Sequence, residues 1–280
     1  MKSAVIIPNY LKANSVEFSK IAEGQLNARG YEAIILGDNE KMTKEAEFAI
    51  ALGGDGTIIR ACKQLYGTDI PVLGINFGHL GYLTECGPEN AVDAINKLVE
   101  KNYKIENRMM ICGSVIRDGK EVFAFTALNE SALNRATLMR AFKMEIFVNG
   151  RLTNTVLGDG LIVATPTGST SYNLSAGGPI LTPTANNIVI TQIAPIYFPG
   201  SPLVTDGGDE IEIRILVDNT AKSGNVAIEI DGNDSFKLQS EDIIKIKRAE
   251  HYAKIAKVTD TSFYQILREK LSKANYESSR

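Results

Sequence analysis

Glu47-Phe48-Ala49-Ile50-Ala51-Leu52-Gly53-Gly54-Asp55-Gly56-Thr57-Ile58-Ile59-Arg60 sets the architecture of this chain. A short apolar run meets three glycines around one aspartate, and apolar residues then resume at helical spacing. A run of this length bounded by glycine suits a buried strand of a parallel sheet. Lacking Cβ atoms, Gly53, Gly54 and Gly56 let the backbone turn sharply and let a ligand approach its N–H groups. A helix over Thr57 to Leu65 would aim its unsatisfied N–H groups and positive dipole end at that turn, forming an anion site. The alternative is an ordinary strand-to-helix connection in which Asp55 or Thr57 merely caps the helix. Spacing alone leaves the two open. No Gly-Lys-Ser/Thr follows, so the turn is not a P-loop, and it is not G-x-G-x-x-G.

On either side, strands alternate with helices. Ala4 to Ile7, Ala33 to Leu36 and Pro71 to Ile75 are apolar runs. Phe18, Ile21, Ala22 and Leu26 recur at helical spacing until Gly30, and Pro88 opens a helix carrying Val92, Ile95, Leu98 and Val99 on one face. This predicts an α/β N-terminal domain, a parallel sheet with helices on both faces, with Asp55 at the carboxyl end of a strand. From about Met109 to Arg248 short β-rich runs are divided by turns such as Asp118-Gly119, Asn149-Gly150, Asp206-Gly207-Gly208 and Asp231-Gly232. That predicts a mainly antiparallel all-β C-terminal domain. The tail from Thr261 to Lys273 is again helical and is expected to return to the first domain. The expected division is 1–108 plus 250–280, and 109–249.

A formal charge of −3 argues against a nucleic-acid surface without excluding a local anion site. Cys62, Cys86 and Cys112 are scattered and read as reduced thiols. With His79 and His251 as the only histidines, no dedicated metal cage is expected. The Ala4–Ile7 run stops at Pro8, too short for a secretory leader, and no apolar segment reaches membrane-spanning length. The expectation is a cytoplasmic protein without a membrane partner.

Three further segments carry polar groups where strands end. Gly74-Ile75-Asn76-Phe77-Gly78-His79-Leu80-Gly81-Tyr82-Leu83 is a glycine-spaced loop. Leu128-Asn129-Glu130 ends an apolar run with two polar residues, which suits a strand entering solvent as well as a ligand contact. Gly158 to Pro179 reads as a turn, a buried strand, a hydroxyl-rich loop (Thr165, Thr167, Ser169, Thr170, Ser171) and a short helix. Its hydroxyls suit capping or a sugar nucleotide, and Tyr172 suits stacking or core.

Gly53-Gly54-Asp55-Gly56-Thr57 resembles the signature of the NAD kinases, shared more loosely with lipid kinases of the diacylglycerol and sphingosine type and distantly with phosphofructokinases. Asn76 to Leu83 is similar to the NAD kinase Asn-x-Gly-x-Leu-Gly-Phe-Leu segment, with Tyr82 in place of Phe. Gly158 to Pro179 resembles that family's Gly-Asp-Gly…Thr-Pro-Thr-Gly-Ser-Thr-Ala-Tyr…Ser-x-Gly-Gly-Pro block, which the other kinases do not share at this length. The resemblance implies transfer of the terminal phosphate of ATP to the 2′-hydroxyl of the adenosine ribose of NAD, with Asp55 as general base. It implies phosphate contacts from the backbone of Gly53, Gly54, Gly56 and Thr57 and from Arg60 and Arg140. Asn76 and Phe77 would line the dinucleotide site, and Asn129 and Glu130 would contact its ribose and adenine. Asp159, Thr170, Ser171, Tyr172, Asn173 and Ser175 would orient the substrate, and Asp231 and Asn233, in an Asp-Gly turn, would contact it as well. The same resemblance implies magnesium or manganese with ATP, NAD as substrate, polyphosphate as an alternative donor, and a homodimer or homotetramer. Leu157, Ser171 and Asn233 depart from frequent family residues. A dinucleotide-sensing module without catalysis would use the same residues.

Overall fold

The computed structural model describes residues 2–38, 40–42, 44–78, 81–135, 141–196, 200–216 and 226–277, with 273–277 described by backbone alone. Arg140 and His79 lie outside the described residues. The chain divides into two compact units, Met1–Asn107 with Ala253–Arg280, and Arg108–Tyr252.

The first unit contains β1 (Lys2–Pro8), α1 (Ala13–Asn27), β2 (Tyr31–Ile35), β3 (Phe48–Leu52), α2 (Asp55–Gln64), β4 (Val72–Ile75), α3 (Ala91–Val99), β5 (Lys104–Arg108), β18 (Ala253–Lys257) and α5 (Phe263–Glu277). Its sheet runs β2-β1-β3-β4-β18-β5, with parallel pairing of β1 to β2, β1 to β3, β3 to β4 and β4 to β18. Ile6, Ile50, Leu52, Leu73 and Ile75 share one core with Ala22 and Leu26 of α1 and Ile95 and Leu98 of α3. Gly74 alternates with these residues and so faces the other way. The side chain of Ile58 occupies the space a Cβ at Gly74 would need, which places α2 on the opposite face.

Two details differ from expectation. The helix after the glycines starts at Asp55 and not at Thr57, because Gly54 is extended (φ −94, ψ −170) and is itself the residue preceding the first turn. The sheet also gains β5 and β18. Glu85 fastens β18: its buried carboxylate accepts the N–H groups of Val258 at 3.0 Å and Thr259 at 3.2 Å, and pairs with Lys257. The ring of Phe263 in α5 lies 6.3 Å from that of Tyr82, and Lys270 Nζ lies 5.0 Å from the same ring.

The second unit contains β6 (Ile111–Arg117), β7 (Lys120–Ala127), β8 (Glu130–Arg135), β9 (Phe142–Val148), β10 (Arg151–Gly158), β11 (Gly160–Ala164), α4 (Tyr172–Ser175), β12 (Asn187–Ile193), β13 (Leu203–Asp206), β14 (Ile211–Leu216), β15 (Val226–Ile230), β16 (Asp234–Leu238) and β17 (Ile243–Arg248). They form two sheets, β10-β9-β14-β17-β6-β7 and β13-β12-β11-β8-β15-β16, with antiparallel neighbours. Both residues of Asp118-Gly119 and Asn149-Gly150 have positive φ, as two-residue hairpin turns of matching twist require. Asp231-Gly232 also has positive φ at both residues but belongs to a three-residue hairpin loop, Asp231 to Asn233. The sheets enclose one core, with Val115, Met144, Ile213 and Ile244 from the first and Leu133, Leu161, Ile190 and Ile228 from the second.

The far face of the second sheet carries Ala132, Ile162, Ala164 and Val189, with Ala176 and Leu181 packed over them. Since strand side chains alternate, Glu130 and Asn134 emerge on that same face beneath the loop after β11. This alternation gives the second unit a polar strip along an otherwise apolar face.

Candidate functional site

In the first unit the site begins where β3 gives way to α2. Gly53 is there for packing: a Cβ would collide with the Thr57 side chain. Gly54 and Gly56 meet nothing within 4 Å and have ordinary φ, so the fold itself does not demand glycine at either position. That open space admits a ligand. The Gly53 N–H donates to the Ile75 carbonyl at 2.8 Å and the Thr57 N–H to the Gly54 carbonyl at 2.9 Å. Those two groups are therefore spent, a correction to the expectation that the whole Gly53–Thr57 backbone faces phosphate. The N–H groups of Gly54, Asp55 and Gly56 have no acceptor among the described residues.

Asp55 is held by the loop after β4. Its Oδ2 accepts the Tyr82 N–H at 2.7 Å and its Oδ1 the Leu83 N–H at 3.0 Å. A Cβ at Gly81 would overlap this carboxylate, which explains glycine there. Both oxygens are fixed in direction yet keep free lone pairs. Asn76 is 3% exposed and its Oδ1 has no partner, whereas the Phe77 ring packs 5.4 Å from Phe18 and belongs to the core. Arg60 differs most from expectation: its guanidinium pairs with Asp38 and donates to the Pro8 carbonyl at 2.6 Å. Its charge is committed within the protein, and burial lowers its pKa.

In the second unit, Asp231 organises the Asn129–Glu130 corner. Its carboxylate accepts the N–H groups of Leu128 at 3.0 Å, Asn129 at 2.8 Å and Glu130 at 3.1 Å. A hairpin turn at positive φ thus clamps the start of a strand about a hundred residues earlier. Asn233 stays exposed, donating from Nδ2 to the Asp231 carbonyl at 3.1 Å. Removing the clamp leaves three N–H groups without their anionic acceptor, and bonds to charged groups are worth about 1.5–3 kcal/mol each. Asp231→Ala is accordingly expected to lower stability by about 3 kcal/mol or more in urea denaturation and to weaken NAD binding in the same preparation.

The corner presents two orphaned atoms. Asn129 Oδ1 and Glu130 Oε2 are buried without partners, a state that native interiors rarely tolerate unless a ligand or water completes it. Glu130 Oε1 accepts the Ser171 hydroxyl at 3.2 Å. Burial pushes the Glu130 pKa up to about 7, the neighbouring Asp231 carboxylate adds to the rise, and the Ser171 bond opposes it. A carboxyl poised near neutrality can donate to or accept from a sugar hydroxyl.

The loop after β11 is seated directly on this corner. Thr165 donates its N–H to the Asn129 carbonyl at 2.8 Å and its hydroxyl to the Leu128 carbonyl at 2.5 Å. The Asn129 carbonyl occupies the place of a Cβ at Gly168, so only glycine allows this approach. Tyr172, at 38% exposure, donates to Asn134 Oδ1 at 3.4 Å. Its pKa is raised by burial and by the nearby Glu229 and Asp159. Ser175 is exposed, and Thr170 is half-buried with its hydroxyl on the Thr167 carbonyl at 3.3 Å.

Asn173 corrects the sequence expectation. It is fully buried, donating to the Ser169 and Pro179 carbonyls at 3.0 and 3.1 Å and accepting the Thr191 hydroxyl at 2.7 Å. It holds the loop from inside. Asp159 pairs with Arg135 of β8 at 2.8 Å. Sequence reasoning missed Arg135 and Asn134 and read Thr165 only as one loop hydroxyl among several; their places become visible only once β8 and β11 are paired.

Residues 9–103 match the family model of the ATP-NAD kinase N-terminal domain, and residues 128–258 match that of the ATP-NAD kinase C-terminal domain. The NAD kinase of Caldanaerobacter subterraneus subsp. tengcongensis is 37% identical over 286 aligned residues, covering 97% of this chain and 99% of that protein. The chain belongs to the NAD kinase family. The NAD kinase of Lachnoclostridium phytofermentans is 39% identical over 83% of this chain and 82% of its own length. Among solved NAD kinase family structures, that from Archaeoglobus fulgidus in complex with ATP superposes with a TM-score of 0.77 at 27% identity, covering 97% of this chain and 99% of that one. Yeast NADH kinase complexed with NADH gives 0.88 at 20% identity, over 97% of this chain and 88% of that one, a likeness of fold. No helix of the described residues is long and apolar enough to cross a membrane.

Proposed function

We propose that the chain phosphorylates NAD at the 2′-hydroxyl of its adenosine ribose, taking the terminal phosphate of ATP and releasing NADP and ADP. The observation that carries the reading is Asp55: a carboxylate fixed by two backbone N–H bonds at a glycine turn that the fold leaves open. As general base it takes the proton of the attacking hydroxyl. The new bond joins the 2′-oxygen to the γ-phosphorus, and the bond from that phosphorus to the β–γ bridging oxygen breaks. The free N–H groups of Gly54, Asp55 and Gly56 favour the phosphate charge. Asn129 Oδ1 and Glu130 Oε2 are the acceptors or donors that ribose hydroxyls would satisfy. The partly exposed Tyr172 side chain suits adenine stacking.

Among the described residues no group of three or more His, Cys, Asp and Glu side chains is arranged to hold a metal. Magnesium or manganese would therefore arrive on the ATP phosphates, where it neutralises their charge, as is usual for this hard cation. Asp55 is the carboxylate at the glycine turn that could share it. The same reading includes a homodimer or homotetramer, a cytoplasmic location, and polyphosphate as a second donor to be tried.

Incubation with ATP, magnesium and NAD, followed by an NADP-specific dehydrogenase, is expected to show time-dependent NADP. Binding of NAD without any NADP would support the sensing module and end the kinase reading.

A further inference from the structure

Of the two cations placed beside the glycine turn, Arg60 is already neutralised by Asp38. Lys12 is not. It precedes α1 in extended backbone (φ −120, ψ 110), and its half-buried side chain donates to the Phe77 carbonyl at 3.2 Å. An ammonium has three N–H donors, and Lys12 has no other acceptor and no acidic partner among the described residues. The Phe77 N–H in turn reaches the Gly53 carbonyl at 3.4 Å, so a single residue links Lys12 to the turn.

Gly78 sits between these groups and is exposed. A Cβ there would lie 3.0 Å from Lys12 Nζ and 3.8 Å from Asn76 Oδ1, and apart from its chain neighbours it would meet no other of the described residues inside 4 Å. The ammonium and the amide oxygen therefore converge on one bare glycine. Asn76 is 3% exposed, and its Oδ1 is buried without a partner. That oxygen needs a donor, while the ammonium and the free N–H groups of Gly54, Asp55 and Gly56 need an anion. A phosphate with a hydroxyl close to it meets both demands, and this is nucleotide chemistry.

We propose that Lys12 is a phosphate-binding residue of the site, supplying beside the glycine turn the positive charge that Arg60 cannot. The inference rests on the turn being the phosphate site of the kinase reading. The phosphate is either the triphosphate of the donor or the pyrophosphate of the dinucleotide, and the two are separable by probe.

Inorganic tripolyphosphate and NAD, each alone, are titrated into wild type, Lys12→Met and Lys12→Arg by calorimetry, with urea denaturation as the check on folding. Losing a charge-assisted bond weakens binding by about 10- to 100-fold. Lys12→Met is expected to show that loss for one probe, with Lys12→Arg recovering most of it. Loss for tripolyphosphate identifies the donor triphosphate, and loss for NAD identifies the dinucleotide pyrophosphate. Wild-type affinity for both probes in Lys12→Met overturns the proposal. So does equal weakening of both probes with a lowered urea midpoint that Lys12→Arg does not restore, because Lys12 would then only brace the Phe77 carbonyl. These titrations need no turnover, so a protein that binds phosphate through Lys12 but makes no NADP would refute the kinase reading and leave this one standing.

Discussion

Asp55→Asn is expected to lower NADP formation by about 10²- to 10⁴-fold, the range that a positioned general base contributes, while NAD affinity stays close to wild type. The substitution keeps size and shape but replaces one carboxylate oxygen by an NH₂ group. One of the Tyr82 and Leu83 N–H groups then faces a donor, so the variant also loosens the turn. An unfolding free energy from urea denaturation within about 1–3 kcal/mol of wild type, together with intact NAD binding by calorimetry, separates lost chemistry from lost folding. Turnover at the wild-type rate would remove Asp55 from the mechanism and leave its carboxylate as a brace for the Gly81–Leu83 loop.

The second large effect is at Glu130, where stability and binding are set against each other. Its pKa lies at about 7 in the folded protein against an ordinary 4.5, so between those pH values the folded state carries a proton that the unfolded chain has released. Stability therefore falls as pH rises from about 4.5 and levels off above about 7. At roughly 1.4 kcal/mol per pKa unit the whole penalty is about 3 kcal/mol. Glu130→Gln imitates the protonated acid and should not show that decline. At pH 8.5 it is expected to exceed wild type by up to about 3 kcal/mol in urea denaturation, with the two converging at pH 4, and to bind NAD more weakly. Parallel pH profiles for the two proteins would show that Glu130 is not held near neutrality.

Much of this was legible in the chain, for physical reasons. Phe48 to Leu52 is uniformly apolar because that strand is buried on both faces, and the Asp-Gly and Asn-Gly pairs announce hairpins because few other residues tolerate positive φ twice in succession. Lys104 to Arg108 showed no strand because an edge strand needs little apolar surface, and its burial pattern is mostly exposed. Ala253 to Lys257 finds its place only in the assembled sheet, between β4 and β5, where Ile255 pairs with Val72 across more than half the chain. At the site, the Asn129–Glu130 pair and the loop from Thr165 could be picked out by resemblance. The division of labour within them could not. That Asp231 clamps a backbone, that Asn173 faces inward and that Arg60 is spent on Asp38 all depend on partners far away in sequence. Lys12 gave no signal, being one lysine in a polar loop.

The interruption of the first unit by the second has a consequence for synthesis. Strand β4 is completed early, and every residue from Val72 to Ile75 is buried. Its neighbour β18 is translated only after residues 76–252, which at roughly 5–20 residues per second is a delay of about 9–35 s. Until then a nascent chain on the ribosome exposes an unpaired, wholly apolar strand edge beside the glycine turn. Such an edge recruits other strands, so aggregation during expression should begin from β4, and chaperone demand should fall once Ile255 has emerged.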